Sequence, residues 1–139
     1  MKVKDVMHKG AVCVTPTTLV SEIAAQMRDD DIGVMPVKAD GQLIGIVTDR
    51  DIACRAVPGG KDLGRMTAKD IMTSKVVCCS VDDDVAKAVK TMEAKRIRRL
   101  PVTDSGENIV GILSLGDISH KVGDELSGEV LRAVSAHHR

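Results

Sequence analysis

The 139-residue chain carries one pattern twice, and that duplication limits its fold more than any other feature. Lys4-Asp5-Val6-Met7 returns as Lys69-Asp70-Ile71-Met72, and Met35-Pro36-Val37 returns as Leu100-Pro101-Val102, a shift of 65. GIVTDRDI, from Gly45 to Ile52, returns as GILSLGDI, from Gly111 to Ile118, a shift of 66. The extra residue falls where KADGQ (38–42) and TDSGEN (103–108) carry turn residues. A hairpin loop is where an insertion is tolerated best.

Periodicity repeats at the same shift. Val20, Ile23, Ala24 and Met27 have the i, i+3, i+4, i+7 spacing of a helix with one buried face, and Val85, Ala88, Val89 and Met92 repeat it. Thr15 and Ser80 are the expected N-caps, with Asp83 completing a capping box after Ser80. AVCV and VVCC read as short strands, and the segments around Pro36 and Pro101 read as hairpins. Each half is therefore expected to run strand, helix, strand, strand, helix. A half of about 60 residues is marginal alone, so two halves packed about a pseudo-two-fold axis are expected to share one core. The expected boundaries are repeat 1 over 1–57, a linker over 58–66 with PGGKDLGRM, repeat 2 over 67–122 and a helical extension over 123–139. In that extension Val130, Leu131 and Val134 form a small apolar stripe, suited either to the chain's own surface or to a second subunit.

Twenty basic and twenty acidic residues cancel, so no global field draws the chain to nucleic acid or to a membrane. The charged start lacks the apolar stretch of a signal peptide, no apolar run reaches membrane-spanning length, and a cytoplasmic location is the expectation. Cys13, Cys54, Cys78 and Cys79 form no Cys-x-x-Cys pair, and His8, His120, His137 and His138 stand at no ligand spacing, so buried structural thiols and no metal are expected. There is no Phe, Tyr or Trp. The core must be aliphatic, and any bound base must rest on aliphatic side chains or arginine.

The chemistry concentrates at the two copies of one corner. Ser114 precedes Asp117 by three positions where an apolar run ends, and Thr48 stands in the same relation to Asp51. Ser/Thr-x-x-Asp is an ordinary capping box. The same pair also offers a hydroxyl to a phosphate and a carboxylate to a sugar diol, at a helix start whose N–H groups favour anions. The two roles are compatible in the same atoms. Near the second copy, Arg98 and Arg99 precede Pro101, whereas the first copy has Gly33 and Val34 there and Arg50 as its only obvious local cation. Arginine's fork suits phosphate oxygens, yet consecutive strand residues face opposite sides, so the two should not serve one phosphate together.

Taken in order, KDVM…MPV…GIVTDRDI and KDIM…RIRRLPV…GILSLGDI resemble a tandem pair of CBS domains, from about Val3 to Val122. The resemblance implies an α+β fold of two CBS repeats, a cytosolic ligand-sensing module of the stand-alone bacterial kind, and a homodimer acting on an effector protein. It implies adenosine-containing ligands in clefts between the repeats: AMP or ATP, with NAD or S-adenosylmethionine as further candidates. It assigns phosphate contact to Ser114 and Thr48 and ribose contact to Asp117 and Asp51. It implies that Arg98 and Arg99 meet phosphates, with Arg50 as the first corner's own local cation, and that Pro101, Pro36, Val12, Val14 and Val77 wall the adenine. The second corner is then expected to bind anions more strongly than the first.

Three other functions compete. An enzyme is disfavoured because no nucleophile–base pair, metal set or P-loop is present. A nucleic-acid reader built on KRIRR (95–99) lacks net positive charge and stacking aromatics. A dimerisation or scaffold module with empty clefts is the serious rival.

Overall fold

The computed structural model describes residues 1–121 and 127–135. Its elements run α1 (Val3–Val6), β1 (His8–Lys9), α2 (Val20–Asp30), β2 (Val34–Ala39), β3 (Gln42–Thr48) and α3 (Asp49–Asp51), which continues into a π-helical turn (Ile52–Ala56). There follow α4 (Ala68–Ile71), β4 (Cys79–Ser80), α5 (Val85–Lys95), β5 (Arg99–Thr103), β6 (Ile109–Ser114), α6 (Leu115–Lys121) and α7 (Ser127–Ser135). The fold is mixed α+β and made of two repeats, as the duplication requires.

The chain folds as two compact units that do not coincide with the two stretches of repeated sequence. One is Val12–Val76; the other joins Met1–Ala11 to the chain from Val77 onward. In the second of these, the sheet order is β1-β6-β5-β4, with β4 parallel to β5 and the other pairs antiparallel. Val3 and Val6 of α1 are buried in its core with Val85, Val89, Met92, Leu113 and Ile118. In Val12–Val76, the β2–β3 hairpin is flanked by single bridges, Val14 parallel to Val37 and Thr73 antiparallel to Ile46. Here Ala68 and Ile71 of α4 take the places that Val3 and Val6 hold in the other unit. Each repeat thus gives its opening helix to the unit built on the other repeat's hairpin.

Two glycines make this exchange sterically feasible. A Cβ on Gly45 would lie 2.6 Å from Met72 Sδ, and one on Gly111 would lie 2.5 Å from the His8 carbonyl oxygen. Glycine is needed there so that the arriving segment can pair with the strand. The length difference between the repeats sits in the hairpin turns. Asp40 and Gly41, both with positive φ, make a two-residue turn. In the longer turn the Asp104 carboxylate accepts from the N–H groups of Gly106 (2.9 Å) and Asn108 (3.0 Å).

The expected helical stripes are the buried ones: Val20, Ile23 and Met27 on α2, and Val85, Ala88, Val89 and Met92 on α5, with Ala24 half-buried. Four expectations need correction. The helices start later than Thr15 and Ser80, their N-caps being Leu19 and Asp84, and Asp84 Oδ1 accepts from Ala86 N–H at 3.0 Å. Ser80 instead closes a turn, donating its N–H to Asp83 Oδ2 at 2.9 Å. AVCV and VVCC pair for only one or two residues. Such short pairing leaves Cys13 and Cys78 exposed, Cys54 is exposed as well, and only Cys79 is buried. Burial and the nearby Asp83 push the Cys79 thiol up to about 12. Lastly, the buried apolar residues form two clusters, one in each unit, rather than one common core.

Within α7, half-buried Val130 packs on the core of its own unit and Arg132 Nε lies 3.6 Å from Glu93 Oε1, while Leu131 is exposed. The side chain of Val134, and His137 and His138, lie outside the described residues.

Candidate functional site

Each corner forms where the second strand of a hairpin runs directly into a helix. In the first, β3 ends at Thr48 and α3 begins at Asp49, and Thr48 is extended (φ −111°, ψ 163°) as an N-cap must be. Asp51 N–H donates to Thr48 Oγ1 at 3.1 Å and Thr48 N–H donates to Asp51 Oδ2 at 2.9 Å. The second corner repeats this closely. Asp117 N–H donates to Ser114 Oγ at 3.0 Å, and Ser114 N–H donates to Asp117 Oδ2 at 3.2 Å. The capping role is therefore real at both corners, and each hydroxyl keeps its own proton to give to another acceptor. The residue just before each hairpin's first strand braces the corner. Gly33 and Arg98 carbonyls accept from Asp49 and Leu115 N–H, both at 3.0 Å.

The corners part at the other carboxylate oxygen. Asp51 is buried, and its Oδ1 accepts from Thr73 Oγ1 at 3.3 Å and lies 3.7 Å from Arg55 Nε. Asp117 is half-buried, and among the described residues its Oδ1 has no partner. Sequence reasoning missed both Arg55 and Thr73. The i, i+4 spacing of Asp51 and Arg55 was a legible sign of their contact; the approach of Thr73, 22 residues away, was not.

The other predicted residues fall as follows. Arg50 is exposed and its backbone N–H donates to Asp49 Oδ1 at 2.9 Å, while the guanidinium close to Asp51 is that of Arg55, with Nε 3.7 Å from Oδ1. Arg99 pairs with Ser114 across the β5–β6 ladder and is half-buried, while Arg98 is exposed. Pro101 and Pro36 are buried in their hairpins opposite Ile112 and Ile46. Val14 is buried, Val77 half-buried and Val12 exposed. α3 with its π-helical continuation runs over 49–56 and α6 over Leu115–Lys121, so each corner opens about two turns of helix. Among the described residues no group of three His, Cys, Asp or Glu suits a metal ion, and no helix is long and apolar enough to cross a membrane.

The duplicated hydroxyl–carboxylate corner, on a duplicated hairpin, matches one family. The sequence model of the CBS domain fits residues 3–56 and again 68–124. This chain belongs to the CBS domain family. The CBS domain-containing protein YhcV of Bacillus subtilis is 34% identical over 134 residues, covering 96% of this chain and 94% of that one. Among solved structures, the CBS domain protein TA0289 of Thermoplasma acidophilum superposes with a TM-score of 0.90 over 99% of this chain and 76% of its own; at 22% identity it speaks for the CBS fold alone. The CBS domain pair of protein MJ0100, solved in complex with 5′-methylthioadenosine and S-adenosyl-L-methionine, has a TM-score of 0.78 at 28% identity. It covers 86% of this CBS chain and 94% of its own.

Proposed function

We propose that the protein is a regulatory module that binds adenosine-containing nucleotides of the AMP or ATP kind at its strand-to-helix corners and carries out no catalysis. The observation that carries this reading is the pairing of Ser114 with Asp117. Ser114 Oγ, already an acceptor for Asp117 N–H, has a proton to donate to a phosphate oxygen, and Asp117 Oδ1 has lone pairs for a ribose diol. Arg99, first residue of the strand paired with β6 and in register with Ser114, and Arg98 just before that strand supply positive charge for the phosphate. Thr48 and Asp51 supply the same two functions at the first corner. The adenosyl ligands named for the MJ0100 pair support the ligand class. In this reading the protein is cytoplasmic and homodimeric and passes ligand occupancy to an effector protein.

The test exploits the absence of Trp and Tyr, which leaves almost no near-ultraviolet absorbance. A co-purified adenine would dominate the spectrum of the native protein. Thermal-shift titration with AMP, ATP, NAD and S-adenosylmethionine should raise the melting temperature with at least one of them, by mass action on the native state. Asp117→Ala should weaken that effect. A chain that carries no adenine and responds to none of the four is a scaffold module instead.

A further inference from the structure

The two corners share a backbone arrangement and differ in what surrounds the carboxylate. In the unit Val12–Val76, both oxygens of Asp51 are taken by the chain itself: Oδ2 by Thr48 N–H, and Oδ1 by the Thr73 hydroxyl and the Arg55 guanidinium. The side chain is only 10% exposed. Arg55 is held in place by its Nη1, which donates to the carbonyls of Ile71 (3.3 Å) and Met72 (3.2 Å). The π-helical turn that carries Arg55 begins at Ile52, directly after Asp51, whereas α6 is α-helical from Leu115 to Lys121, the last residue described there. π-Turns inside helices recur at functional positions.

The repeat supplies an internal comparison. At the positions matching Thr73 and Arg55, the other unit has His8 and Lys121. Among the described residues neither bonds Asp117, which keeps Oδ1 open. Among the described residues one carboxylate is closed by its surroundings and the other is not, although the hydroxyl–carboxylate pair is the same.

Building on the nucleotide reading above, we propose that Arg55 and Thr73 form an intramolecular latch on Asp51. They occupy the oxygen that a ribose diol would need, so a nucleotide enters the first corner only by displacing them. The second corner is then the standing site, and the first is a conditional one that fills at higher ligand concentration. Displacement frees the Arg55 guanidinium, which is suited to receive the phosphate of the incoming nucleotide.

The experiment is calorimetric titration of AMP into the wild-type chain, Thr73→Val, Arg55→Ala, and each of these combined with Asp117→Ala. Thr73→Val preserves shape and the backbone pairing with Ile46, so it tests the latch even if Arg55→Ala, which loses the carbonyl contacts, folds poorly. The wild type should show one tight and one weak event. Thr73→Val should tighten the weak event by about three- to tenfold, the worth of one net hydrogen bond, and leave the tight one unchanged. In the Asp117→Ala background only the weak event should remain, and Thr73→Val should strengthen it. Two-event binding that Thr73→Val leaves unaltered or weakens overturns the latch while preserving nucleotide binding. No AMP binding in any chain overturns both.

Discussion

The carbonyl oxygen of His8 lies 2.5 Å from the position a Cβ would take on Gly111. The equivalent Gly45 faces a softer neighbour, because its shortest approach, 2.6 Å, is to the Met72 sulfur, with the Thr73 carbonyl at 3.0 Å. A thioether swings aside more readily than backbone. Both Gly45→Ala and Gly111→Ala should destabilise the fold by about 1–3 kcal/mol, the usual cost of overpacking. Gly111→Ala should cost more, as read from urea-unfolding midpoints. Equal midpoints for the two variants would contradict the backbone clash.

The exchange of opening helices predicts where local damage spreads. Ile71→Ala, at a site 2% exposed in the core of Val12–Val76, should cost about 2–5 kcal/mol. Amide-exchange protection should fall first in the β2–β3 hairpin. Val6→Ala should instead loosen the β5–β6 hairpin, although Val6 is nearer in sequence to β2. The opposite assignment of hairpins would refute the exchanged packing.

Both long helices end on a left-handed residue that is not glycine: Asp31 (φ 52°) after α2 and Arg96 (φ 56°) after α5. A left-handed conformation costs a side-chain-bearing residue roughly 1–2 kcal/mol, and glycine at a helix C-terminus avoids this. Arg96→Gly should therefore raise stability by about 1 kcal/mol, visible as a higher melting temperature. A drop would mean that the Arg96 side chain contributes more than its backbone strain removes.

Asp83 accepts the Ser80 N–H, which holds its carboxyl below the ordinary value of 3.8, helped by Lys87 and opposed by burial. Backbone N–H groups act in the same direction on Asp70, through Thr67, and on Asp104, through Asn108. A carboxyl whose folded pKa is depressed stabilises the fold above its unfolded pKa, and that contribution fades as pH falls through the lower folded value. Stability should therefore decline as pH drops below 3.8. Asp83→Asn should be weaker than wild type at pH 7 and converge with it in acid. Denaturant titrations at several pH values measure the gap, and a gap that widens in acid would reverse the assigned sign.

Much of this molecule is readable from local pattern. The Val85, Ala88, Val89, Met92 stripe specifies a buried helix face because 3.6-residue periodicity is a property of the chain itself. Ser114 with Asp117, and Thr48 with Asp51, specify two corners because capping geometry spans only three residues. Ser80 and Thr15 show the limit of the same logic. Their hydroxyl-bearing sequences suit a cap or a turn equally well, and a further turn intervenes before each helix.

What the sequence determined alone is the duplication, the hairpins and the reciprocal hydroxyl–carboxylate pairs, all set by contacts between near neighbours. Tertiary structure decided which opening helix joins which hairpin, because α1 and α4 share the Lys-Asp-x-Met pattern and no local signal tells which hairpin each one meets. It also decided that Asp51 is closed by Thr73 and Arg55 while, among the described residues, Asp117 keeps one oxygen open. That difference depends on a segment 22 residues away being brought within hydrogen-bond range by pairing across Gly45, and no local pattern encodes it.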